Sequence, residues 1–459
     1  MSAADAPLAG LLDRLAPAWA AEAAVAGAAE PGRQPVHTVY GGAHLFRAAT
    51  PHRLGELALA AVDRFAPDGP ALARALDWPR EGEEDRRRAE EIHARVVAKL
   101  RREPVEDFRI DFEDGYGHRG DAEEGGHAET AARELARGRR EGTLPPFVGI
   151  RVKPFTPELA GRALRTLEIF LATLVAAAEG GGEGALPPGF VVTLPKVTAP
   201  QQVAVLVAAF ERLEGRLGLP PRSLALELMV ETPRSIFAAD GRVALPGLVA
   251  AAGGRCRGAH FGTYDYTASM GITAAEQRMD HPACDFAKQV MQVALAGSGV
   301  WLSDGATNVL PVAPHREAAP SAEQEEESRR AVHGAWRLHA RHVRHSLAGG
   351  LYQGWDLHPA QLPSRFATVY AFFREGAEAA GTRLRGFVEQ AARATLAGDV
   401  FDDAATGQGL LNFFLRAAAC GALDDEEARR LSGLAPEELA SRSFPSILAR
   451  RAGAAPAEA

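Results

Sequence analysis

Short apolar runs alternate with helical stretches along most of this chain, and this alternation constrains the fold more than any other feature. Each of eight strand candidates precedes a segment with helical periodicity. The candidates are His37–Phe46, Asp107–Phe112, Phe147–Val152, Phe190–Leu194, Ser223–Val230, Gly258–Gly262, Gly299–Leu302 and Leu351–Leu357. Strands that alternate with helices form parallel sheets with crossover helices, and eight such units favour closure. The sequence therefore predicts an α/β protein built on a (β/α)₈ TIM barrel.

The segments outside this alternation predict two further parts. Residues 1–34 are rich in alanine, include Leu11, Leu12 and Leu15, and predict an N-terminal helical extension. Residues 35–362 are predicted to form the catalytic barrel. After Pro359 the pattern is helical throughout, so residues 363–459 predict a C-terminal helical appendage that could serve assembly.

Charge and cysteine usage argue against several classes of protein. The 459 residues carry a net charge of -8 without a strong basic block, so no nucleic-acid partner is expected. Cys256, Cys284 and Cys420 are far apart and lack CxxC spacing, which disfavours disulfides and structural zinc. No apolar stretch reaches the roughly 18 residues of a membrane span, and no signal-peptide pattern is present. We therefore expect a cytoplasmic protein without a membrane partner.

Ionisable residues follow seven successive predicted strands. In a (β/α)₈ barrel the functional side chains lie at the carboxyl ends of the strands, where the βα loops converge. The residues concerned are Asp111, Glu113, Asp114, Arg151, Lys153, Lys196, Glu231, Asp265, Asp304 and His358. Each alone is a weak signal, because an acid at a strand end often caps the next helix. Their convergence on one mouth of the barrel predicts a functional site.

The charged residues at this mouth are of the types that one reaction would need. Glu231 and Asp265 follow neighbouring strands and suit Mg²⁺, which takes few protein carboxylates and completes its octahedron with water and substrate oxygens. Arg151 suits a bidentate pair with a substrate carboxylate. A metal on a 2-oxo group polarises it, and electrostatic stabilisation of the resulting enolate is often the largest catalytic effect. This combination predicts a magnesium-dependent carbon–carbon lyase or aldolase that acts on a small oxo- or hydroxy-acid.

A structural role is open at each of these positions. Glu231 can be a capping or salt-bridged residue, Asp265 can cap the following helical turn, and Lys196 can be only a rim charge. Arg151 can pair with Asp111 or Glu113 as scaffolding. His358 is expected to be a capping residue, and Asp111 is expected to point into the barrel wall or to pair with Arg151 or Lys196.

Several motifs together resemble the HpcH/HpaI aldolase and citrate lyase β-subunit-like superfamily, with malate synthase as a more distant relation. The motifs are RIDFEDGYG, GIRVKP, TLPKV, LELMVETP, HFGTYDYTASMG and GWDLHPAQL, and they span roughly residues 37 to 365. The resemblance implies a barrel, Mg²⁺ or Mn²⁺, and cleavage or formation of a carbon–carbon bond through an enolate. It also implies a homo-oligomer, commonly a trimer or hexamer.

The resemblance also implies roles for single residues. Glu231 and Asp265 match the metal ligands, and Arg151 matches the arginine that binds the oxo-acid carboxylate. Glu113 and Asp114 match the acidic pair of a D-x-E-D motif, and Asp114 stands where the aldolase branch has a histidine base. A carboxylate base works well near neutral pH only if its pKa is raised. Together with Arg151, the predicted substrate contacts are Lys196 and Asp111.

The chain departs from the family pattern in ways that leave the substrate open. Lys153 stands where relatives often have asparagine, and the segment SDGATN after strand seven has no secure match. The separate C-terminal segment that carries malate synthase's catalytic aspartate is not found. Whether the substrate is a CoA thioester is undecided, because no basic cluster indicates a site for the CoA phosphates.

Two other functions remain open. One is a phosphotransferase that handles phosphoenolpyruvate or pyruvate, although no P-loop is present. The other is a non-catalytic barrel that binds an acid metabolite. The joint presence of Arg151, Glu231 and Asp265 disfavours this last alternative.

Overall fold

A computed structural model describes residues 16–17, 32–79, 82–178, 181–317, 319–393 and 404–454. Its strands are β1 His37–Gly42, β2 Asp107–Asp111, β3 Phe147–Arg151, β4 Val191–Leu194, β5 Ala225–Val230, β6 Cys256–Phe261, β7 Trp301–Ala306 and β8 Gln353–Asp356. They pair in parallel in sequence order, and β8 pairs with β1 to close the barrel. The predicted (β/α)₈ fold is confirmed.

Strand β7 is the one that lies away from its predicted position. It was expected at Gly299–Leu302 and runs instead from Trp301 to Ala306. Gly297 and Gly299 have φ angles of 73° and 72°, which are incompatible with an extended strand. The strand therefore begins after them and continues into the polar segment that follows.

Helices connect the strands and cover the outside of the barrel. In chain order up to β8 they are α1 Thr50–Phe65, α2 Gly69–Ala75, α3 Glu83–Arg102, α4 Asp121–Glu141, α5 Ala160–Ala177, α6 Pro200–Leu217, α7 Pro233–Ile236, α8 Leu245–Ala251, α9 Thr263–Ser269, α10 Pro282–Leu295 and α11 Ala322–Ala348. Helix α6 has the usual end signals: proline at its first position, and Gly218 with a φ of 65° just after its last. None of the helices in the described ranges is long and apolar enough to cross a membrane.

Successive side chains of β2 alternate between the apolar core outside the barrel wall and the inside of the barrel. Phe108 and Ile110 belong to the apolar core between the strands and the helices. The guanidinium of Arg109 lies inside the barrel, where it donates to both carboxylate oxygens of Glu227 over 3.0 and 2.7 Å and pairs with Asp107. All three charged residues are buried, so each needs the opposite charge of its partners to offset the cost of removing it from water.

The chain after β8 is helical, as predicted. The helices are α12 Leu362–Arg393, α13 Ala404–Cys420, α14 Asp425–Ser432, α15 Pro436–Ser441 and α16 Phe444–Ala454. Buried Phe366 and Phe373 of α12 and Phe414 of α13 belong to the same apolar core as the barrel residues. The division at residues 362 and 363 stays a prediction. The predicted extension over residues 1–34 lies outside the described residues except for 16–17 and 32–34.

Candidate active site

Lys196 connects predicted site residues at the carboxyl ends of β2, β4, β5 and β6. Its Nζ forms an ion pair with Glu113 and lies 3.4 Å from Oδ1 of Asp114 and 3.4 Å from Oδ2 of Asp265. Its backbone N–H donates to Oε1 of Glu231 over 2.7 Å. Four acidic residues from three separate segments of the sequence therefore surround one lysine at the mouth of the barrel.

The guanidinium of Arg151 is buried at the end of β3. Its Nε donates to Oδ1 of Asp111 over 2.7 Å and its Nη2 donates to Oδ2 over 2.5 Å. Its Nη1 lies 3.1 Å from Oε2 of Glu113, and its Cζ lies 4.7 Å from the centre of the Tyr40 ring, a cation–π contact. The pairing of Arg151 with Asp111, one of the alternatives open from the sequence, is confirmed. The remaining N–H groups of the guanidinium, which has five, are the donors left for a ligand.

Asp111 organises the loop after β2 as well as Arg151. Its Oδ1 accepts the backbone N–H of Glu113 over 2.9 Å, and its Oδ2 accepts that of Gly115 over 2.7 Å. A Cβ at Gly115 would lie only 2.7 Å from Oδ2 of Asp111, so the close approach requires glycine. Asp111 thus sets the position of both the guanidinium and the acidic pair. A direct contact between Asp111 and a substrate stays a prediction.

Lys196 has a φ of 51°, a left-handed conformation that is uncommon for a residue with a side chain. This conformation lets the residue direct both its backbone N–H and its ammonium group at carboxylates. Burial lowers the pKa of Lys196, but Glu231, Glu113 and Asp114 outweigh that effect and raise it above its usual value. The ammonium group therefore stays charged across the physiological range.

Glu231 is 2% exposed at the end of β5. Burial raises the pKa of Glu231 to about 8, with Glu113 and Asp265 adding to the rise and Lys196 and Arg151 opposing it. Gly262, after β6, lies against this side chain, since a Cβ there would come within 2.6 Å of Oε2 of Glu231. The protein's own positive charges thus do not fully neutralise this carboxylate.

Glu113 and Asp114, the acidic pair after β2, have pKa values that their surroundings shift in opposite directions. Burial raises the pKa of Glu113 and Asp114 adds to the rise, although Arg151 and Lys196 oppose it. The side chain of Asp114 is 59% exposed; burial raises its pKa as well, but Arg151 and Lys196 outweigh burial and lower it. The raised pKa that a base near neutral pH needs therefore belongs to Glu113 and not to Asp114.

The donor set at the mouth fits a hard divalent cation. Glu231 and Asp265 offer carboxylate oxygens on neighbouring strand ends, and the side chain of Asp265 does not cap α9, whose N-cap is Gly262. Oε2 of Glu113 makes no hydrogen bond among the described residues, and Nη1 of Arg151 lies 3.1 Å from it. Over the same residues, no group of three His, Cys, Asp or Glu side chains forms a metal site. A two-carboxylate site completed by water and ligand oxygens is typical of Mg²⁺.

Comparison with known proteins assigns the chain to a family. A family model described as "Domain of unknown function (DUF6986)" matches residues 20–447. The chain belongs to the DUF6986 family. No curated protein matches it.

Two solved structures that match this DUF6986 chain are a citrate lyase and a malate synthase. A citrate lyase from Burkholderia xenovorans LB400 is 18% identical over 87% of this chain and 97% of its own, with a TM-score of 0.54. A Haloferax volcanii malate synthase in a magnesium/glyoxylate complex is 14% identical over 91% of this chain and 97% of its own, with a TM-score of 0.44. The likeness to the citrate lyase shows the fold alone.

Asp304 does not face the mouth, and this prediction is wrong. The residue lies within β7 and is fully buried. Its Oδ2 accepts from Nζ of Lys288 over 3.0 Å and from Oγ of Ser346 over 2.6 Å. Both partners belong to the outer helices α10 and α11. Because β7 continues to Ala306, the alternation of side chains turns Asp304 towards these helices.

Two further residues of this DUF6986 chain have structural roles. His358 accepts the backbone N–H of Ala360 over 3.2 Å, which confirms the expected cap. The Nζ of Lys153 donates to the carbonyl of Phe112 over 2.6 Å and lies 3.2 Å from Glu124. Lys153 therefore contributes to the barrel wall.

Sequence reasoning missed two aromatic residues beneath the mouth. The hydroxyl of Tyr40, whose ring stacks on Arg151, lies 3.3 Å from Nδ1 of His260. The ring of Trp355 lies 4.6 Å from that of Tyr40, and its Nε1 is buried without a hydrogen-bond partner among the described residues. The signal that could have found them is their position near the carboxyl ends of β1 and β8, where inward-facing residues border the site.

A cavity also lies at the amino end of the barrel strands, opposite the candidate site. It has a volume of about 960 Å³ and is lined by the first residues of several strands, including Asp107, Phe147, Val191 and Ala225. The amino ends of barrel strands serve mainly stability. The candidate site is therefore assigned to the carboxyl end.

Proposed function

We propose that this protein is a divalent-metal-dependent carbon–carbon lyase or aldolase that acts on a small oxo- or hydroxy-acid. The supporting observation is that Glu231 and Asp265 flank Lys196 at the same mouth at which Arg151 lies. The motif resemblance to the aldolase and citrate lyase superfamily provides the reaction class. Use of a CoA thioester and a homo-oligomeric state stay predictions.

In this proposal Glu231 and Asp265 would hold Mg²⁺ or Mn²⁺. The bound ion would supply Lewis acidity to the oxo group of the ligand. The free N–H groups of Arg151 would hold the acid end of the ligand, because a guanidinium matches the geometry of a carboxylate. The ammonium group of Lys196 would hold further negative charge of the ligand close to the same carboxylates.

Proton transfer is assigned to the acidic pair after β2. Asp114 is the exposed member, and its lowered pKa keeps it ionised and able to accept a proton from a ligand carbon. Glu113 and Asp114 share the ammonium group of Lys196, and the raised pKa of Glu113 makes it the better place for a proton at neutral pH. The proton can therefore be accepted at Asp114 and held at Glu113.

Calorimetry with Mg²⁺ and pyruvate, oxaloacetate or glyoxylate tests this function. We expect metal-dependent binding of an oxo-acid by the wild-type protein and none by Glu231→Ala or Asp265→Ala. Glu129→Ala is the matched control, because Glu129 is an exposed acid on α4 whose partner is Arg133. If Glu231→Ala and Asp265→Ala both bind as the wild type does, the metal assignment is wrong.

A non-catalytic barrel that binds an acid metabolite is the second candidate. It is favoured by the lowered pKa of Asp114, because a carboxylate base works well near neutral pH only if its pKa is raised. Oxo-acid binding without turnover of any hydroxy-acid or CoA thioester would support it over the lyase.

A further inference from the structure

We propose that the cavity at the amino end of the barrel strands binds an amphipathic monocarboxylate, with its apolar body inside and its acid group at Arg257 on the rim. This site is separate from the candidate active site and does not rest on the proposed function. Its volume of about 960 Å³ is at the upper end of the roughly 300–1,000 Å³ typical of pockets for drug-sized molecules. The cavity therefore has room for a long alkyl or arylalkyl group.

Apolar side chains form most of the cavity wall. Phe147 at the start of β3 and Trp301 at the start of β7 stand edge to face, with ring centroids 5.6 Å apart. Further apolar side chains of the wall are Phe190, Val191, Val249, Leu295 and Val300. Ligand pockets are lined mainly by such side chains, with a few polar groups that fix the orientation of the ligand. An apolar body placed against this wall gains in proportion to the apolar area that it removes from water.

The charged residues in the lining leave one cation available to a ligand. Four of them are paired within the protein, namely Arg33, Asp107, Arg109 and Glu227. The fifth is Arg257, which is exposed. Over the part of the chain that the structure describes, no carboxylate pairs with Arg257. An anionic group of a ligand can therefore bind this guanidinium without displacing an internal partner.

The buried end of the cavity determines the orientation of the ligand. Asp107, Arg109 and Glu227 are at most 2% exposed, and they bring two carboxylates to one guanidinium. An acid group would be repelled there and would lose its hydration without gaining a partner. At the rim, the guanidinium of Arg257 would attract the same group and match its planar geometry. The acid therefore lies at the rim and the apolar body lies inside.

A homologous series of alkanoates tests the inference. Binding of hexanoate, octanoate, decanoate and dodecanoate, each below its critical micelle concentration, is measured by calorimetry and by tryptophan fluorescence. We expect about fourfold tighter binding for each added methylene, from the usual transfer free energy of a buried CH₂ group. Because Trp301 lines the cavity, Trp301→Phe should remove the fluorescence change and retain binding by calorimetry.

A charge reversal tests the position of the acid group. We expect Arg257→Glu to weaken decanoate binding about 2- to 30-fold, because repulsion replaces the attraction of an exposed ion pair. The same substitution should leave the binding of decanol, which has no charge, unchanged. Arg242→Glu is the matched control, because Arg242 is an exposed arginine that pairs with Asp240 and does not line the cavity.

A larger side chain in the wall tests the position of the apolar body. Ala250 is exposed on α8 and lines the cavity, so Ala250→Trp can fill it without changing the core. We expect this variant to weaken decanoate and decanol alike. Ala208→Trp is the control, because Ala208 is exposed on α6 and lies outside the lining.

Each part of the inference can be contradicted separately. A wild-type protein that binds none of the four alkanoates would overturn the site. An equal effect of Arg257→Glu on decanoate and decanol would overturn the acid at the rim. Binding that Ala250→Trp leaves unchanged would place the ligand outside the cavity and overturn the inference. Circular dichroism of each variant checks that the fold is retained.

Discussion

The backbone N–H of Lys196 donates to Oε1 of Glu231 over 2.7 Å, which joins the ends of the neighbouring strands β4 and β5. The bond is made by a residue with a φ of 51°. Strained backbone of this kind is typical of functional sites. Here it brings a backbone donor and an ammonium group to the same group of carboxylates.

The raised pKa of Glu231 predicts that the stability of the metal-free protein depends on pH. The pKa is about 8 in the folded state against 4.5 for a free glutamate, so the folded state binds this proton more tightly. Its stabilising contribution is complete below about pH 4.5 and is lost as the pH rises through about 8. We expect the free energy of unfolding of Glu231→Gln to fall less than that of the wild type over this range. Urea denaturation in EDTA measures it.

Addition of Mg²⁺ should remove most of the same pH dependence from the wild type, because a nearby cation lowers the pKa of a carboxylate. Glu129→Gln should keep the wild-type slope, since Glu129 is an exposed residue on α4. If Glu231→Gln and the wild type have the same slope in EDTA, Glu231 ionises as an ordinary glutamate.

Asp114 and Glu113 should respond differently to loss of charge. We expect Asp114→Asn to lose a factor of about 10² to 10⁴ in kcat, the usual contribution of a general base, and to keep its affinity for the oxo-acid. Glu113→Gln should also weaken binding, because Glu113 pairs with both Arg151 and Lys196. Steady-state kinetics and calorimetry on the same preparations distinguish the two effects. Unchanged turnover in Asp114→Asn would remove Asp114 as the base.

Much of the fold could be predicted because β2 to β6 and β8 are short runs that end at or shortly before an ionisable residue. Strand β7 could not, because its start depends on the left-handed φ angles of Gly297 and Gly299. The burial of its polar segment also depends on contacts with helices. The ion pair of Asp304 with Lys288 is such a contact, and sequence periodicity does not reveal it.

The sequence could predict which residues form the site but not the contacts between them. The convergence of strand ends follows from the fold, so the meeting of Glu231, Asp265 and Lys196 could be anticipated. The bidentate ion pair of Arg151 with Asp111 depends on the distance between adjacent strand ends, which a sequence does not give. The opposite pKa shifts of Glu113 and Asp114 depend on side-chain exposures of 6% and 59%.

The charged interior of the barrel predicts a large cost for loss of Arg109. Its removal leaves Asp107 and Glu227 buried without their main partner. We expect Arg109→Met to lower the free energy of unfolding by about 3–5 kcal/mol, as for other broken buried pairs. Arg53→Met is the control: Arg53 pairs with Glu56 at the surface, and its loss should cost at most about 1 kcal/mol. Adding Asp107→Asn and Glu227→Gln to Arg109→Met should restore part of the stability, and a further loss would contradict this account.

Ser364, His339 and Asp356 are the residue types of a hydrolase triad, with the two ring nitrogens of the histidine exchanged, and we predict that they serve stability alone. Oγ of Ser364 lies 2.8 Å from Nδ1 of His339, and Nε2 of His339 lies 3.1 Å from Oδ1 of Asp356. All three side chains are buried, so no substrate can reach the hydroxyl, as nucleophilic catalysis requires. Asp356 is also paired with Arg365 and His37, and burial lowers the pKa of His339. We expect Ser364→Ala to leave oxo-acid turnover unchanged and to cost about 1–3 kcal/mol of stability, because the hydroxyl bonds both His339 and the carbonyl of Gln361 and its loss leaves buried groups unsatisfied. Mass spectrometry after treatment with a fluorophosphonate should find no adduct on Ser364 of the folded protein, and an adduct there would show that the hydroxyl is accessible and activated.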